Sequence, residues 1–117
     1  MARVSTHILD TSRGTPAGGV NVELHLLLHG ERQRLATAVT NEDGRTAVPL
    51  LTADRIEPGT YELTFHAGAY FRRVNAPLTE PAFLDIILIR FGVSDPQGHY
   101  HVPLLLSPYG YSTYRGS

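Results

Sequence analysis

Apolar side chains recur at every second position in this chain, and that spacing limits the possible folds more than any other feature of the sequence. Val20, Val22, Leu24, Leu26 and Leu28 alternate with residues that include glutamate and histidine. Side chains two residues apart lie on one face of a β-strand, whereas a helix repeats every three to four residues. The spacing therefore predicts strands with an apolar face for a core and a polar face opposite.

Alternation continues in two later segments, residues 61–65 and residues 83–91, the second of which is rich in Ile and Leu. Clusters of Pro, Gly, Asn and Asp separate these segments and are typical of turns. Residues 68–74 lack alternation and predict one short helix, and residues 52–56 could add a turn. Because short strands dominate and no long helix intervenes, the sequence predicts a single all-β domain over residues 1–117, an antiparallel β-sandwich.

Composition removes several classes of function. The 117 residues include no cysteine, which excludes disulfide scaffolds and thiol nucleophiles, and all ten basic residues are arginine, which excludes Schiff-base chemistry on lysine. Charges of both signs are scattered to a net −1, so no basic stripe is present for nucleic acid or a membrane surface. The apolar runs are too short to span a bilayer, and the N-terminal residues lack the core of a secretory signal. We therefore expect a cytoplasmic protein with no nucleic-acid or membrane partner.

Two histidines near the end of the chain have the spacing of one strand face. His99 and His101 would lie about 7 Å apart there, and His7 could complete a metal site from elsewhere. No acidic pair accompanies them, so the sequence favours a site without metal. The remaining histidines are expected on solvated strand faces: His25, His29 and His66.

The chain supplies three residue types suited to hydrolysis. A histidine with a pKa of about 6.5 can take a proton from water and return it to a leaving nitrogen. An arginine presents a planar donor fork to carbonyl or anionic oxygens, and a hydroxyl can orient water. The candidates are His7, Arg45, His101, Arg115 and Ser117. Because the chain has no nucleophile elbow and no Ser/His/Asp order, general acid–base hydrolysis without a covalent intermediate remains.

Four segments carry a resemblance to a known family. They are residues 5–10 (Ser-Thr-His-Ile-Leu-Asp), 41–45 (Asn-Glu-Asp-Gly-Arg), 101–105 (His-Val-Pro-Leu-Leu) and 114–117 (Tyr-Arg-Gly-Ser). Together they resemble the 5-hydroxyisourate hydrolases, the transthyretin-related proteins, over essentially the whole chain. The terminal tetrapeptide is the most specific element, since transthyretin, the hormone carrier on the same fold, lacks it at the corresponding end.

The resemblance implies a transthyretin-like two-sheet sandwich with one short helix, and hydrolysis of 5-hydroxyisourate to 2-oxo-4-hydroxy-4-carboxy-5-ureidoimidazoline in urate degradation. It also implies a homotetramer, a dimer of dimers with active sites at the dimer–dimer interface, and no metal or organic cofactor. The residues that it implies in catalysis are His7, Arg45, His101 and Ser117. The residues that it implies in substrate binding are His7, Arg45, Tyr114, Arg115 and Gly116.

The implied mechanism begins with a water that His7 or His101 deprotonates. This water attacks the ring carbonyl at C6 and opens the N1–C6 bond, while Arg45 stabilises the charge that develops on oxygen. Ser117 would hold the water or the substrate. The sequence leaves open which histidine is the base, because that depends on pKa and geometry in the folded protein.

Two other functions fit an all-β sandwich. One is a transthyretin-like carrier without catalysis, since one fold can host unrelated functions. A passive apolar channel, however, would not need His7, His101 and Arg45 beside a pocket. The other is a small adhesion or carbohydrate-binding sandwich, which predicts a secretion signal and exposed aromatic platforms, and the sequence contains no such signal.

Overall fold

Nine strands and one helix make up the fold, and alternation predicts three of the strands, the last of which begins at Ile86 rather than at residue 83. The computed structural model describes residues 1–117. The elements are β1 Ala2–Asp10, β2 Thr15–Pro16, β3 Asn21–Leu28, β4 Glu31–Val39, β5 Leu51–Ala53, β6 Gly59–His66, α1 Ala67–Arg73, β7 Ile86–Val93, β8 His99–Ser107 and β9 Gly110–Thr113. The predicted all-β sandwich with one short helix is confirmed.

The strands form two sheets. The first has the order β2-β1-β8-β9, with β5 also paired to β1, and the second has the order β4-β3-β6-β7. Every pair is antiparallel except β1 and β8, which run parallel from Arg3 opposite His99 to Asp10 opposite Leu106. This pair departs from the predicted antiparallel pattern. It is possible because the long segment between the two strands carries the chain back to the same end of the sheet.

Apolar side chains from both sheets fill the space between them. The largest fully buried side chains include Tyr61, Phe65, Phe71, Ile8, Leu24, Leu63, Leu104 and Leu106. Burial of each aliphatic or phenylalanine side chain stabilises the fold by roughly 1.5–3 kcal/mol relative to exposure. Because the even-numbered residues of β1 are buried in this core, its odd-numbered residues Arg3, Ser5 and His7 lie on the outer face of the first sheet.

The helix α1 closes one end of the sandwich. It buries Tyr70 and Phe71 and ends before Asn75, which adopts a positive φ of 60°. The Tyr70 hydroxyl donates a hydrogen bond to Oδ2 of Asp10 at 2.8 Å, which joins the helix to the end of β1. No helix of the structure is long and apolar enough to cross a membrane.

Three local expectations were wrong. Residues 52 and 53 belong to β5 rather than to a turn, because they pair with the start of β1. Leu28 is 36% exposed, since β3 ends there in the hairpin that leads to β4. His25 is buried rather than solvated, because Arg32 and Glu23 lie against it on the outer face of the second sheet.

Candidate active site

The outer face of the first sheet holds a polar cavity of about 360 Å³. It lies over β1 and β8 and is bordered by the segment 45–49 and the last residue of the chain. The lining residues are Arg3, Ser5, Thr6, Arg45, Thr46, Val48, Pro49, His99, His101 and Ser117. No Asp or Glu side chain is among them. The cavity therefore collects cationic and neutral donors, which suit carbonyl and anionic oxygens.

The parallel register of β1 and β8 explains why these residues meet. Arg3 lies opposite His99, and Ser5 lies opposite His101. Outward positions of neighbouring strands stay level with each other, so both pairs project from the same face. Two strands separated by most of the chain thus supply one polar surface.

His101 makes one hydrogen bond through its ring and leaves its second nitrogen free. Its Nδ1 lies 2.8 Å from Oγ of Ser5, while Nε2 has no hydrogen-bond partner within the chain. Burial lowers the pKa of His101 below its usual range, and the charges of Arg45, His7 and Arg3 lower that pKa further. At neutral pH the imidazole is therefore predominantly unprotonated, as a general base requires.

A tight turn over residues 41–45 brings Arg45 to the cavity. Oδ1 of Asn41 accepts hydrogen bonds from the backbone N–H groups of Asp43 and Arg45, at 2.9 and 3.3 Å. Gly44 has a φ of +73°, and a Cβ there would lie 2.3 Å from the carbonyl oxygen of Ile8. That close approach lets Arg45 form a β-bridge with His7. The turn formed by the Asp-Gly-Arg segment thus positions Arg45 at the border of the cavity.

Gly116 and Ser117 close the cavity at the end of the chain. The backbone N–H of Gly116 donates a 2.8 Å hydrogen bond to the carbonyl oxygen of His101. A Cβ on Gly116 would lie 2.6 Å from Cδ2 of the His101 ring. At that distance the ring or the backbone of residue 116 would have to move, so only glycine fits here. Gly116 therefore permits the terminal segment to lie against His101, and Ser117 then borders the cavity.

His7 lies beside the cavity rather than in its lining. It is half-buried on β1, two residues beyond Ser5, and its β-bridge with Arg45 places it next to that residue. Its charge is one of the causes that lower the pKa of His101, so the two histidines interact. The structure thus brings together His101, Arg45 and Ser117, with His7 adjacent.

Tyr114 and Arg115 point elsewhere within the protomer. Both line a second cavity of about 270 Å³ between β7 and β8, in which apolar residues predominate. The Arg115 guanidinium lies 4.3 Å from the centre of the Tyr100 ring and donates a 3.2 Å hydrogen bond to the carbonyl oxygen of His99. Within one protomer, the structure does not bring these two predicted substrate-binding side chains into the polar cavity.

Sequence reasoning missed Arg3, Ser5 and Thr46 as part of this surface. A signal was present for the first two, because Arg3, Ser5 and His7 alternate with Val4, Thr6 and Ile8 at the period of a strand. Arg3 and Arg45 form no salt bridge with any carboxylate of the chain, unlike Arg32 and Arg90. Both guanidinium groups therefore remain available to a ligand.

The possible metal pair of His99 and His101 has other partners. Nε2 of His99 lies 2.7 Å from the carbonyl oxygen of Met1, and Nδ1 of His101 is engaged by Ser5. No group of three or more His, Asp or Glu side chains is arranged to hold a metal ion. Each histidine of this pair thus has one ring nitrogen engaged within the chain.

Comparison with known sequences identifies relatives over the full length. The HIUase/Transthyretin family matches residues 4–116. The curated protein "5-hydroxyisourate hydrolase 2" of Rhizobium meliloti (strain 1021) is 53% identical over 115 residues, which cover 98% of this chain and 96% of that relative.

Solved structures share the fold. The crystal structure of (S)-allantoin synthase is 42% identical with a TM-score of 0.93, and the match covers 99% of this chain and 44% of that chain. The present chain thus spans less than half the length of that protein. Sea bream transthyretin in complex with thyroxine is 30% identical with a TM-score of 0.85, over 97% of this chain and 94% of that chain. The sandwich described above is therefore transthyretin-like, as the sequence predicts.

Proposed function

This chain belongs to the HIUase/Transthyretin family, and on that premise we propose that it is an enzyme that hydrolyses 5-hydroxyisourate in the cavity over β1 and β8. Relatives that match this chain over its full length carry the name of this hydrolase, such as the Rhizobium meliloti protein at 53% identity. The observation that carries the proposal within the structure is His101, whose Nε2 has no partner in the chain and which lines, together with Arg45, a cavity bordered by no Asp or Glu side chain. The single domain of residues 1–117 would hold all the catalytic groups named below.

His101 acts as the general base in this proposal. Its Nε2 takes a proton from a water molecule as the water oxygen bonds to C6 of the substrate. The N1–C6 bond then breaks, its electron pair stays on N1, and the imidazolium returns the proton to N1. One water is consumed, C6 becomes a carboxylic acid that releases its proton at neutral pH, and the ring opens to the ureido product. The choice of His101 over His7 rests on lining, since His101 borders the cavity and His7 lies beside it, next to Arg45.

Arg45 and Ser117 act on the oxygens of the reaction. As water adds to C6, negative charge develops on the carbonyl oxygen, and a fixed guanidinium stabilises that charge more than it stabilises the ground state. Arg45 is suited to this role because it faces the cavity without a carboxylate partner. Ser117, on the opposite border, orients the water or a substrate oxygen through its hydroxyl. His7 supports the site through its bridge to Arg45 and by direct contact with the substrate.

Substrate binding by the terminal segment involves a second subunit. This applies to Tyr114 and Arg115 but not to Gly116. Gly116 acts within the protomer by leaving room beside the His101 ring. Tyr114 and Arg115 face the second cavity, so they would reach substrate only across a subunit boundary. We therefore include in the proposal a homotetramer, a dimer of dimers whose interface closes the polar cavity.

Open sheet edges support such an assembly. β9 ends the first sheet on one side and β7 ends the second, so each leaves one row of backbone groups unpaired. Large apolar side chains on or near these strands are exposed: Ile86, Leu88, Tyr109 and Tyr111. Unpaired edges with exposed apolar residues are typical of strands that pair with another subunit. Light scattering would test the tetramer, and a monomer at micromolar concentration would contradict it.

A cytoplasmic location completes the proposal. Fractionation of the source cells, with an antibody against the chain, tests this point directly. Recovery of the protein from the cytoplasmic fraction is the expected result, and recovery from a secreted fraction would contradict it.

The enzyme activity is tested by generating 5-hydroxyisourate from urate with urate oxidase and following its ultraviolet decay. The expected result is decay well above the spontaneous rate in the presence of the chain. A correctly folded chain that leaves the spontaneous rate unchanged would contradict the hydrolase. It would favour the carrier function instead, with a small molecule bound and released unaltered.

A further inference from the structure

Ser5 is the one side chain that holds the ring of His101. Its Oγ lies 2.8 Å from Nδ1, across the parallel pair of β1 and β8. Ser5 is half-buried and borders the same cavity as His101. The contact thus lies at the border of the cavity and leaves Nε2 as the ring nitrogen without a partner.

The identity of the proton donor in this contact decides what His101 can do. A neutral imidazole carries its proton on one nitrogen only, and the other nitrogen accepts. If Nδ1–H donates to Oγ, the lone pair of Nε2 faces the cavity and can take a proton from water. If the hydroxyl donates to Nδ1 instead, Nε2–H faces the cavity and cannot act as a base.

We propose that Ser5 is a positioning residue that accepts a hydrogen bond from Nδ1–H of His101 and so keeps the Nε2 lone pair directed into the cavity. This inference rests on the proposed function, because the orientation matters only if His101 acts as the base. Nothing in the family match or in the names of the relatives assigns a role to this serine.

A hydroxyl suits this position better than the carboxylate that often orients a catalytic histidine. A carboxylate stabilises the imidazolium and raises the pKa of the histidine, whereas a neutral acceptor orients the ring without that effect. The charged and titratable side chains that face His101 are Arg3 and His7 on β1, Arg45 in the 41–45 turn and His99 on β8 itself. All are basic, so burial and cationic neighbours keep the imidazole neutral while Ser5 fixes its direction.

The mutational test compares three substitutions at Ser5. Ser5→Ala removes the acceptor, and kcat should fall about tenfold to a hundredfold, the range seen when the groups that orient metal-bound histidines are removed. Ser5→Thr keeps the hydroxyl on a strand position that tolerates β-branching, and it should restore most of the rate. Ser5→Asp should move the acid limb of kcat/KM to higher pH, because the carboxylate stabilises imidazolium. Thr37→Ala, which removes an exposed hydroxyl from β4 of the second sheet, is the control with an unchanged rate.

Nitrogen NMR of the imidazole side chains provides a readout that needs no substrate. With ¹⁵N-labelled histidine above neutral pH, the His101 signals, assigned by their loss in His101→Asn, should show a protonated Nδ1 and an unprotonated Nε2. In Ser5→Ala the two tautomers should mix. A wild-type spectrum with Nε2 protonated would overturn the inference, and so would a Ser5→Ala enzyme with unchanged kcat and pH profile.

The hydrolase function and the role of Ser5 can be overturned by different results. A folded wild-type chain without hydrolase activity would overturn the proposed function, and with it the catalytic consequence of the Ser5 contact. Active wild-type enzyme with the wrong tautomer, or with an indifferent Ser5→Ala variant, would overturn only the role of Ser5. Thermal melting and chromatographic size of each variant separate loss of orientation from loss of fold.

Discussion

The outer faces of the two sheets use the same residue types in opposite ways. On the first sheet, Arg3, Arg45 and His101 border a cavity that contains no Asp or Glu. On the second sheet, four basic side chains lie against one of two carboxylates, Glu62 or Glu23. The contacts are Arg32 to Glu62 at 3.0 Å, Arg90 to Glu62 at 3.1 Å, His66 to Glu23 at 2.9 Å and His25 to Glu23 at 3.9 Å.

This contrast separates structural from reactive cations. On the second sheet, the hydrogen bond from His66 lowers the pKa of Glu23, so that carboxylate is held in its charged form. On the first sheet, burial and, after it, nearby cations without counter-ions lower the pKa of His101 and favour the neutral ring. A histidine beside a carboxylate is thus part of the scaffold here, and a histidine among arginines is available for proton transfer.

Exchange of one histidine on each face should give the largest difference. His101→Asn removes the general base, and kcat should fall about 10²- to 10⁴-fold. His66→Asn alters a half-buried histidine of the second sheet, which lies outside the cavity. Its kcat should stay within a factor of about two of the wild-type value, and we count a rate in that range as unchanged. Initial rates of 5-hydroxyisourate decay measure both. Equal losses in the two variants would remove the distinction between the faces.

The matched arginine pair should give the next largest difference. Arg45→Ala removes a donor to the developing oxyanion, and kcat should fall about 10²- to 10³-fold while the protein remains folded. Arg32→Ala should preserve kcat and lower the melting temperature, because it leaves the buried Glu62 with one fewer partner. A near-normal rate for Arg45→Ala would exclude Arg45 from the mechanism.

Loss of the carboxylate on the second sheet should affect stability alone. Glu62 is 3% exposed between Arg32 and Arg90, whose side chains remain half or more exposed and can be solvated when it is removed. Glu62→Ala should therefore cost about 1–3 kcal/mol of unfolding free energy, rather than the larger cost of a stranded buried charge. Urea denaturation measures this cost. A large fall in kcat of the folded variant would show that the two faces are coupled.

The smallest expected effects are on pH dependence, where the two faces should respond separately. The acid limb of kcat/KM should lie below the ordinary histidine value of about 6.5, because the base form of His101 persists to lower pH. Glu23 stabilises the fold above its unfolded pKa, and this contribution is lost as pH falls through its lower folded pKa. Glu23→Gln should reduce acid destabilisation without moving the acid limb of activity. An acid limb that moves with Glu23→Gln would contradict this separation.

Three of the strands and the helix could be predicted because their signals are local. Alternation marks β3 and β6, and its absence marks α1, which begins at Ala67 where the sequence predicted residue 68. The burial of His25 and Glu62 could not be predicted from alternation, which assigns both to a solvated face. Arg32 contacts both residues and Arg90 contacts Glu62, and these contacts depend on which strands are neighbours.

The candidate site was predictable only in part for the same reason. His7, Arg45, His101 and Ser117 came from family resemblance, and the structure places three of them on one cavity with His7 beside it. Ser5 had no distinguishing residue type, and its importance depends on the register of β1 against β8. A register between strands so far apart in the chain is not encoded in any local pattern.

The parallel pairing of β1 and β8 also affects the order in which the protein can fold. Ser5 and His101 are 96 residues apart in the chain. Their hydrogen bond therefore closes a loop nearly as long as a chain of this length allows. A ribosome adds roughly 5–20 residues per second, and β1 therefore emerges seconds before β8 exists to pair with it. The β3–β4 hairpin can form in that interval, whereas the cavity must wait for the last strands. Catalytic competence is thus among the final properties that a newly synthesised chain acquires, and it reports that folding is complete.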